Sequence, residues 1–136
     1  MLKVRTYPVS VKAIIWRGSA VLFLKNLRGE WELPGGRPEA GETEIAALAR
    51  EIEEECKLQL TKAEFYRREL YEVIKGRWVE ISAYRCECIN DQRLILSDEH
   101  SNAGWLVMTG ERPHDLPEFY WSLCRRSNLL QGTIDF

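Results

Sequence analysis

Apolar and β-branched residues crowd two stretches near the start of the chain, Val9 to Arg17 and Ala20 to Asn26, with only Gly18-Ser19 between them. Two such runs joined by two turn-forming residues predict a β-hairpin. Arg28-Gly29-Glu30 breaks the pattern and Trp31 to Leu33 restores it as a short strand. Pro34-Gly35-Gly36 then predicts a tight loop, because two glycines permit backbone shapes closed to other residues. From about Thr43 the spacing changes. Ile45, Leu48, Ala49, Ile52 and Cys56 recur three and four apart, which predicts a helix with that stripe against a core and its acidic positions on a neighbouring flank. Past Leu58, Ala63 to Arg68, Leu70 to Lys75 and Arg77 to Cys88 read as strands of a meander, with Gly76 as the turn between the last two. Asn90-Asp91-Gln92 opens a loop, Arg93 to Leu96 predicts a weak strand, and Ala103 to Met108 a further one. Glu118 to Arg126 predicts a closing helix whose Arg125 and Arg126 suit its dipole, and Gln131 to Phe136 a loose tail. Strands, helix, strands, helix is the order of an α+β fold.

Composition narrows the classes. A chain of 136 residues predicts one domain over residues 1–136, large enough for a real core. A net charge of −2 gives no electrostatic case for nucleic-acid binding and favours a small-molecule substrate. Cys56, Cys86, Cys88 and Cys124 show neither C-x-x-C pairs nor the density of a disulfide scaffold, so reduced thiols in a cytoplasmic protein are expected. Cys86 and Cys88 share one face of a strand and read as buried thiols rather than a metal site. Ala13 to Trp16 and Val21 to Leu24 are far shorter than a membrane span, and no association with a membrane is expected.

The chemistry concentrates in one run. On a helix, Glu51, Glu54 and Glu55 stand three and four positions apart, so their carboxylates converge within about one turn. Unpartnered, each such pair costs roughly 0.2 to 0.5 kcal/mol, whereas Mg2+ or Mn2+, which prefer hard oxygen ligands, would turn the repulsion into binding. Acidic helix faces are also common as plain solvated surface. The surroundings decide between these readings. Gly36, Glu42, Arg50, Glu51, Ile52, Glu54, Glu55 and Leu58 fit the pattern G-x5-E-x7-R-E-U-x-E-E-x-G-U, where U is bulky and aliphatic. Six identities at fixed spacing arise by chance on the order of once in 10 million windows. The run resembles the Nudix box, and the flanking Trp31 to Gly36, Glu99-His100 and Trp105-Leu106 resemble the family's strand, acidic loop and late strand. One position departs: Lys57 stands where the box has Gly. A side chain in the left-handed conformation there would cost roughly 1 to 2 kcal/mol.

The resemblance implies an α/β/α sandwich around a mixed central β-sheet and Mg2+-dependent hydrolysis of a pyrophosphate bond, with Mn2+ as a substitute. It implies Glu51, Glu54 and Glu55 as metal ligands, with the Gly35 carbonyl and Glu99 as further ones, and Glu51 or Glu99 as general base. Arg50 joins Glu51, Glu54 and Glu99 in the catalytic set by orienting a carboxylate, and with Glu42 it helps fix loop to helix. The expected substrate is a nucleoside diphosphate linked to another moiety. The alternatives are a nucleoside triphosphate, as in nucleotide-pool sanitation, or a ligand-binding module without turnover. A homodimer is in keeping with the family. His100 and His114 read as structural or solvated residues rather than catalytic ones, and Arg37 as the arginine nearest the glycine loop.

Overall fold

A computed structural model describes residues 6–89, 94–98 and 100–132, the last five by their backbone alone. The predicted hairpin forms as β1 (Val9–Arg17) and β2 (Ala20–Lys25), with Arg17 opposite Ala20 across the Gly18-Ser19 turn. β3 (Trp31–Glu32) continues antiparallel to β2. The glycine loop itself pairs, as β4 (Gly35–Gly36), with Val11 and Lys12. Helix α1 (Glu44–Cys56) starts at Thr43, whose Oγ1 accepts the Ala46 N–H at 3.1 Å and satisfies one of the free donors of the first turn.

β5 (Leu60–Ile74) is one long strand where two were expected. Register shifts lie between Phe65 and Arg67 and between Glu72 and Ile74, whereas Glu69, where the break is expected, pairs in register with Ile81. β5 folds back at Lys75-Gly76 onto β6 (Arg77–Cys88). β6 does not continue a meander: it runs parallel to β1 from Val9 opposite Glu80 to Ile15 opposite Cys86, so the central sheet is mixed. Of the weak strand expected over Arg93 to Leu96, residues Leu94 to Leu96 are irregular, and Arg93 lies outside the described residues, as do Asn90, Asp91 and Gln92. β7 (Asn102–Val107) pairs with β2. Helix α2 (Glu118–Gly132) outruns its expected end, so Gln131 and Gly132 are helical rather than tail.

The strand order is β3-β2-β1-β6-β5. On one face, Val11, Ala13, Ile15, Leu22, Leu24, Tyr84 and Cys86 pack against Leu48, Ile52 and Cys56 of α1. On the other, Ile14, Val21, Phe23, Ile81 and Ala83 pack against Tyr120, Trp121, Leu123 and Cys124 of α2. The result is an α+β sandwich with one helix on each face. Leu48 and Ile52 are fully buried, each contributing about 1.5 to 3 kcal/mol. Cys86 and Cys88 do pack on the α1 side, their thiols raised to about 12 and about 11 by burial. Trp78 of β6 is exposed. Among the described residues no helix is long and apolar enough to cross a membrane.

The buried stripe of α1 is rotated from the expected one. Ile45 and Ala49 are exposed, and Ala47, Leu48, Ile52, Glu55 and Cys56 are buried. Glu55 therefore lies on the sheet-facing side and not on a solvated flank. β1 divides its pairing: Val11 and Lys12 meet β4, while Trp16 and Arg17 meet β2. At this division Ala13 N–H donates to Pro34 O at 2.9 Å.

Candidate active site

Helix α1 is fixed to the sheet by its first glutamate. Glu44 Oε1 accepts from Ser82 Oγ at 2.6 Å and from Tyr84 OH at 2.8 Å, and its other oxygen pairs with Arg68. Burial alone would raise this carboxyl; those hydrogen bonds and the Arg68 charge outweigh it and hold it below the usual carboxylate range. The helix end is fixed as well. Lys57 adopts φ 57°, ψ 32°, and its N–H closes the last turn on Glu53 O at 2.9 Å. The lysine thus occupies the left-handed conformation that the box reserves for glycine, and the geometry of the helix stop is retained.

Between these ends Arg50 gathers the acids. Its Nε and Nη2 donate to Glu42 Oε2 and Oε1 at 2.8 and 2.9 Å, a bidentate fork, and Nη2 also donates to Arg37 O at 3.2 Å. Nη1 donates to Glu51 Oε1 at 2.8 Å and reaches Glu54 Oε2 at 3.4 Å, with Glu39 at 3.8 Å. The fork holds the Glu42 carboxyl at about 2 and raises the guanidinium in turn. Glu42 Oε1 also accepts the Glu39 N–H at 2.8 Å, which shapes the loop ahead of the helix. One guanidinium among four carboxylates leaves the locality strongly negative.

The glycines set the other wall. Gly35 has φ +144°, and a Cβ there would lie 1.9 Å from Val11 O, so no side chain fits. At Gly36 a Cβ would meet the Glu51 carboxyl carbon at 2.5 Å. The Glu51 carboxylate therefore lies against the bare Cα of Gly36. Glu55 sits deeper, 5% exposed, with Oε1 accepting the Gly35 N–H at 2.8 Å. Burial pushes its carboxyl up to about 7, and nearby Glu51 adds to that, against the opposing influence of Lys12, Gly35 and His100.

Three residues that sequence reasoning left outside the site lie beside Glu55. His100 is buried, its Nε2 2.9 Å from Glu32 Oε1 and 3.7 Å from Glu55 Oε2. The hydrogen bond to Glu32 raises the imidazole despite burial. The carboxyl of Glu32 is lowered, since His100 and the charge of Lys12 outweigh its own burial. Buried Lys12 donates from Nζ to Leu33 O at 3.0 Å. A lysine inside the apolar run Val11 to Ile15 is the sequence signal for this buried charge. His114 lies in the loop before α2, away from this cluster in the chain.

Of the residues expected in the site, the structure brings Gly35, Arg50, Glu51 and Glu55 together. Glu54 stands at the outer edge, 59% exposed. Glu99 lies outside the described residues. Among the described residues no three acidic, histidine or cysteine side chains form a ready-made cation cage. The donor set nevertheless fits a hard divalent cation: Glu55 is a desolvated carboxylate, Glu51 repels it, and a cation would offset both penalties.

Known proteins resemble this chain. A 57-residue stretch is 49% identical to the Mycobacterium tuberculosis protein named "Putative 8-oxo-dGTP diphosphatase 2", covering 38% of this chain and 40% of that one. The chain thus matches well under half the length of this curated relative. The crystal structure of MutT NUDIX hydrolase from Burkholderia pseudomallei superposes with a TM-score of 0.76 at 25% identity, over 89% of this chain and 98% of that one. The MutT protein from Methanosarcina mazei Go1 superposes with a TM-score of 0.77 at 23% identity, over 92% and 95%, and shows the fold. The NUDIX domain model matches residues 6–123, and the chain belongs to the NUDIX family.

Proposed function

We propose that this chain hydrolyses a pyrophosphate bond of a small nucleotide, using Mg2+ or Mn2+ held by Glu51, Glu54 and Glu55 with the Gly35 carbonyl and Glu99. The observation that carries this reading is the convergence of buried Glu55 and Arg50-bound Glu51 on the Gly35-Gly36 backbone. Bound there, the cation would neutralise phosphate charge and acidify a water. The chain's own residues do the rest. Glu55 and Glu51 supply oxygens from a fixed helix, and Arg50 orients Glu51 while tying it to Glu42 and the loop. The proton of the attacking water passes to Glu51 or Glu99.

Of the two substrate classes, the name of the M. tuberculosis relative favours a nucleoside triphosphate with an oxidised base over a nucleoside diphosphate linked to another moiety. The test is a panel of 8-oxo-dGTP, unmodified dNTPs, ADP-ribose, sugar nucleotides and dinucleoside polyphosphates, with products identified by chromatography. Nucleoside monophosphate and pyrophosphate from 8-oxo-dGTP support the triphosphate reading. Turnover only of the diphosphate conjugates reverses the order, and turnover of none, with nucleotide still bound, makes the chain a binding module.

A further inference from the structure

His100 is costly where it stands. It is 8% exposed, and its Nδ1 is buried with no hydrogen-bond partner among the described residues, a desolvation cost that an apolar side chain would avoid. Core filling therefore does not explain a histidine. Its other nitrogen has a defined task, since Nε2 lies 2.9 Å from Glu32 Oε1 and faces Glu55 Oε2 at 3.7 Å, beyond a true hydrogen bond but within ion-pair range.

The backbone around it is tied to the same helix turn. Ile95 N–H donates to Cys56 O at 2.9 Å and Ser97 N–H to Glu55 O at 3.0 Å. His100 N–H then donates to Ser97 O at 3.3 Å, and Ser101 N–H to Lys25 O at 3.0 Å. The segment that carries the ring is thus bonded to the main chain of the residue whose carboxylate the ring faces. On the far side of that carboxylate, the Gly35 N–H holds Oε1. Glu32 binds the same Nε2 from β3, so helix, loop and strand converge on one ring nitrogen.

We propose that His100 is a positioning residue: hydrogen-bonded to Glu32, its Nε2 is kept facing Oε2 of Glu55 while Gly35 N–H holds Oε1, so that the Glu55 carboxylate meets a cation in one orientation. The proposal rests on the reading of Glu55 as a cation ligand. His100 acts through Glu55 and touches no substrate, in the manner of partners that orient a metal ligand and whose loss weakens metal binding about 10- to 100-fold.

The experiment compares wild type, His100→Leu, His100→Gln and Glu32→Gln. The glutamine at position 100 places an amide nitrogen near the position of Nε2, whereas leucine fills the space without a donor. Mn2+ affinity is read from the free-ion electron paramagnetic resonance signal, and the Glu55 side-chain carboxyl from its 13C shift in metal-free protein. His100→Leu is expected to weaken Mn2+ binding at least tenfold and to move the Glu55 signal. His100→Gln should restore both to near wild type, and Glu32→Gln should fall between. Equal Mn2+ affinity in all four proteins, or a glutamine variant as impaired as the leucine one, overturns the proposal. Wild type that binds no Mn2+ defeats the functional reading instead. The carboxyl signal then decides alone: unmoved by His100→Leu, it overturns the positioning role, and moved by leucine and restored by glutamine, it upholds it.

Discussion

Arg50 grips Glu42 through two parallel hydrogen bonds, Nε to Oε2 at 2.8 Å and Nη2 to Oε1 at 2.9 Å, while Nη1 of the same guanidinium holds Glu51 at 2.8 Å. A planar fork can serve both carboxylates at once, and a lysine ammonium cannot. Arg50→Lys keeps the charge and loses the geometry. It is expected to lower kcat by about 10- to 100-fold while shifting the thermal midpoint by only a few degrees. Steady-state kinetics alongside thermal melts check this, and unchanged kcat would show that the fork does not position Glu51.

The same pair sets an acid limit. The Glu42 carboxyl, normally near 4.5, is held at about 2 by Arg50, so its folded-state value is depressed. Its contribution is full above pH 4.5 and is lost as the pH falls from there towards 2. Glu42→Gln removes that contribution at neutral pH. The urea midpoint of wild type should therefore fall more steeply than that of Glu42→Gln between pH 5 and pH 2.5. Parallel curves would contradict the depression.

Glu55 illustrates a conflict between stability and function. Its carboxylate is buried, and glutamine there keeps an acceptor for the Gly35 N–H while removing the desolvated charge. In EDTA at pH 8, Glu55→Gln should be more stable than wild type by about 1 to 3 kcal/mol. With Mg2+ added, the wild type should gain stability and the variant should not. Denaturant titrations in both conditions measure the two differences, and a variant less stable than metal-free wild type would contradict the burial cost.

Lys57 is the sole non-glycine residue with positive φ among the described residues. Lys57→Gly relieves the crowding of a side chain in the left-handed region and gives up only an exposed ion pair to Glu53 at 3.6 Å. A gain of about 1 kcal/mol is expected, read as a thermal midpoint a few degrees higher. A lower midpoint would mean that the ion pair outweighs the backbone term.

The sequence revealed these features unevenly, and physical range explains why. Glu51, Glu54 and Glu55 were visible as a cluster because helical spacing is local, and Gly18-Ser19 marked the first hairpin for the same reason. In α1 the apolar spacing fits either of two adjacent faces, so Leu48, Ile52 and Cys56 are buried as expected while Ile45 and Ala49 are exposed. The choice fell to Glu55, whose burial depends on Gly35 coming from 20 residues away. His100 and Glu32 are 68 residues apart, and no local pattern joins them. The break expected at Glu69 has no counterpart, because Glu69 pairs in register with Ile81 of β6, a partner that the local pattern of β5 does not show.

The most direct test of the account is Mg2+-dependent release of pyrophosphate from 8-oxo-dGTP by wild type and Glu54→Gln side by side, each with and without EDTA. The account predicts turnover by wild type that EDTA abolishes, and a loss of at least about 100-fold in the variant. Equal rates in the two proteins, or hydrolysis that persists in EDTA, would contradict it.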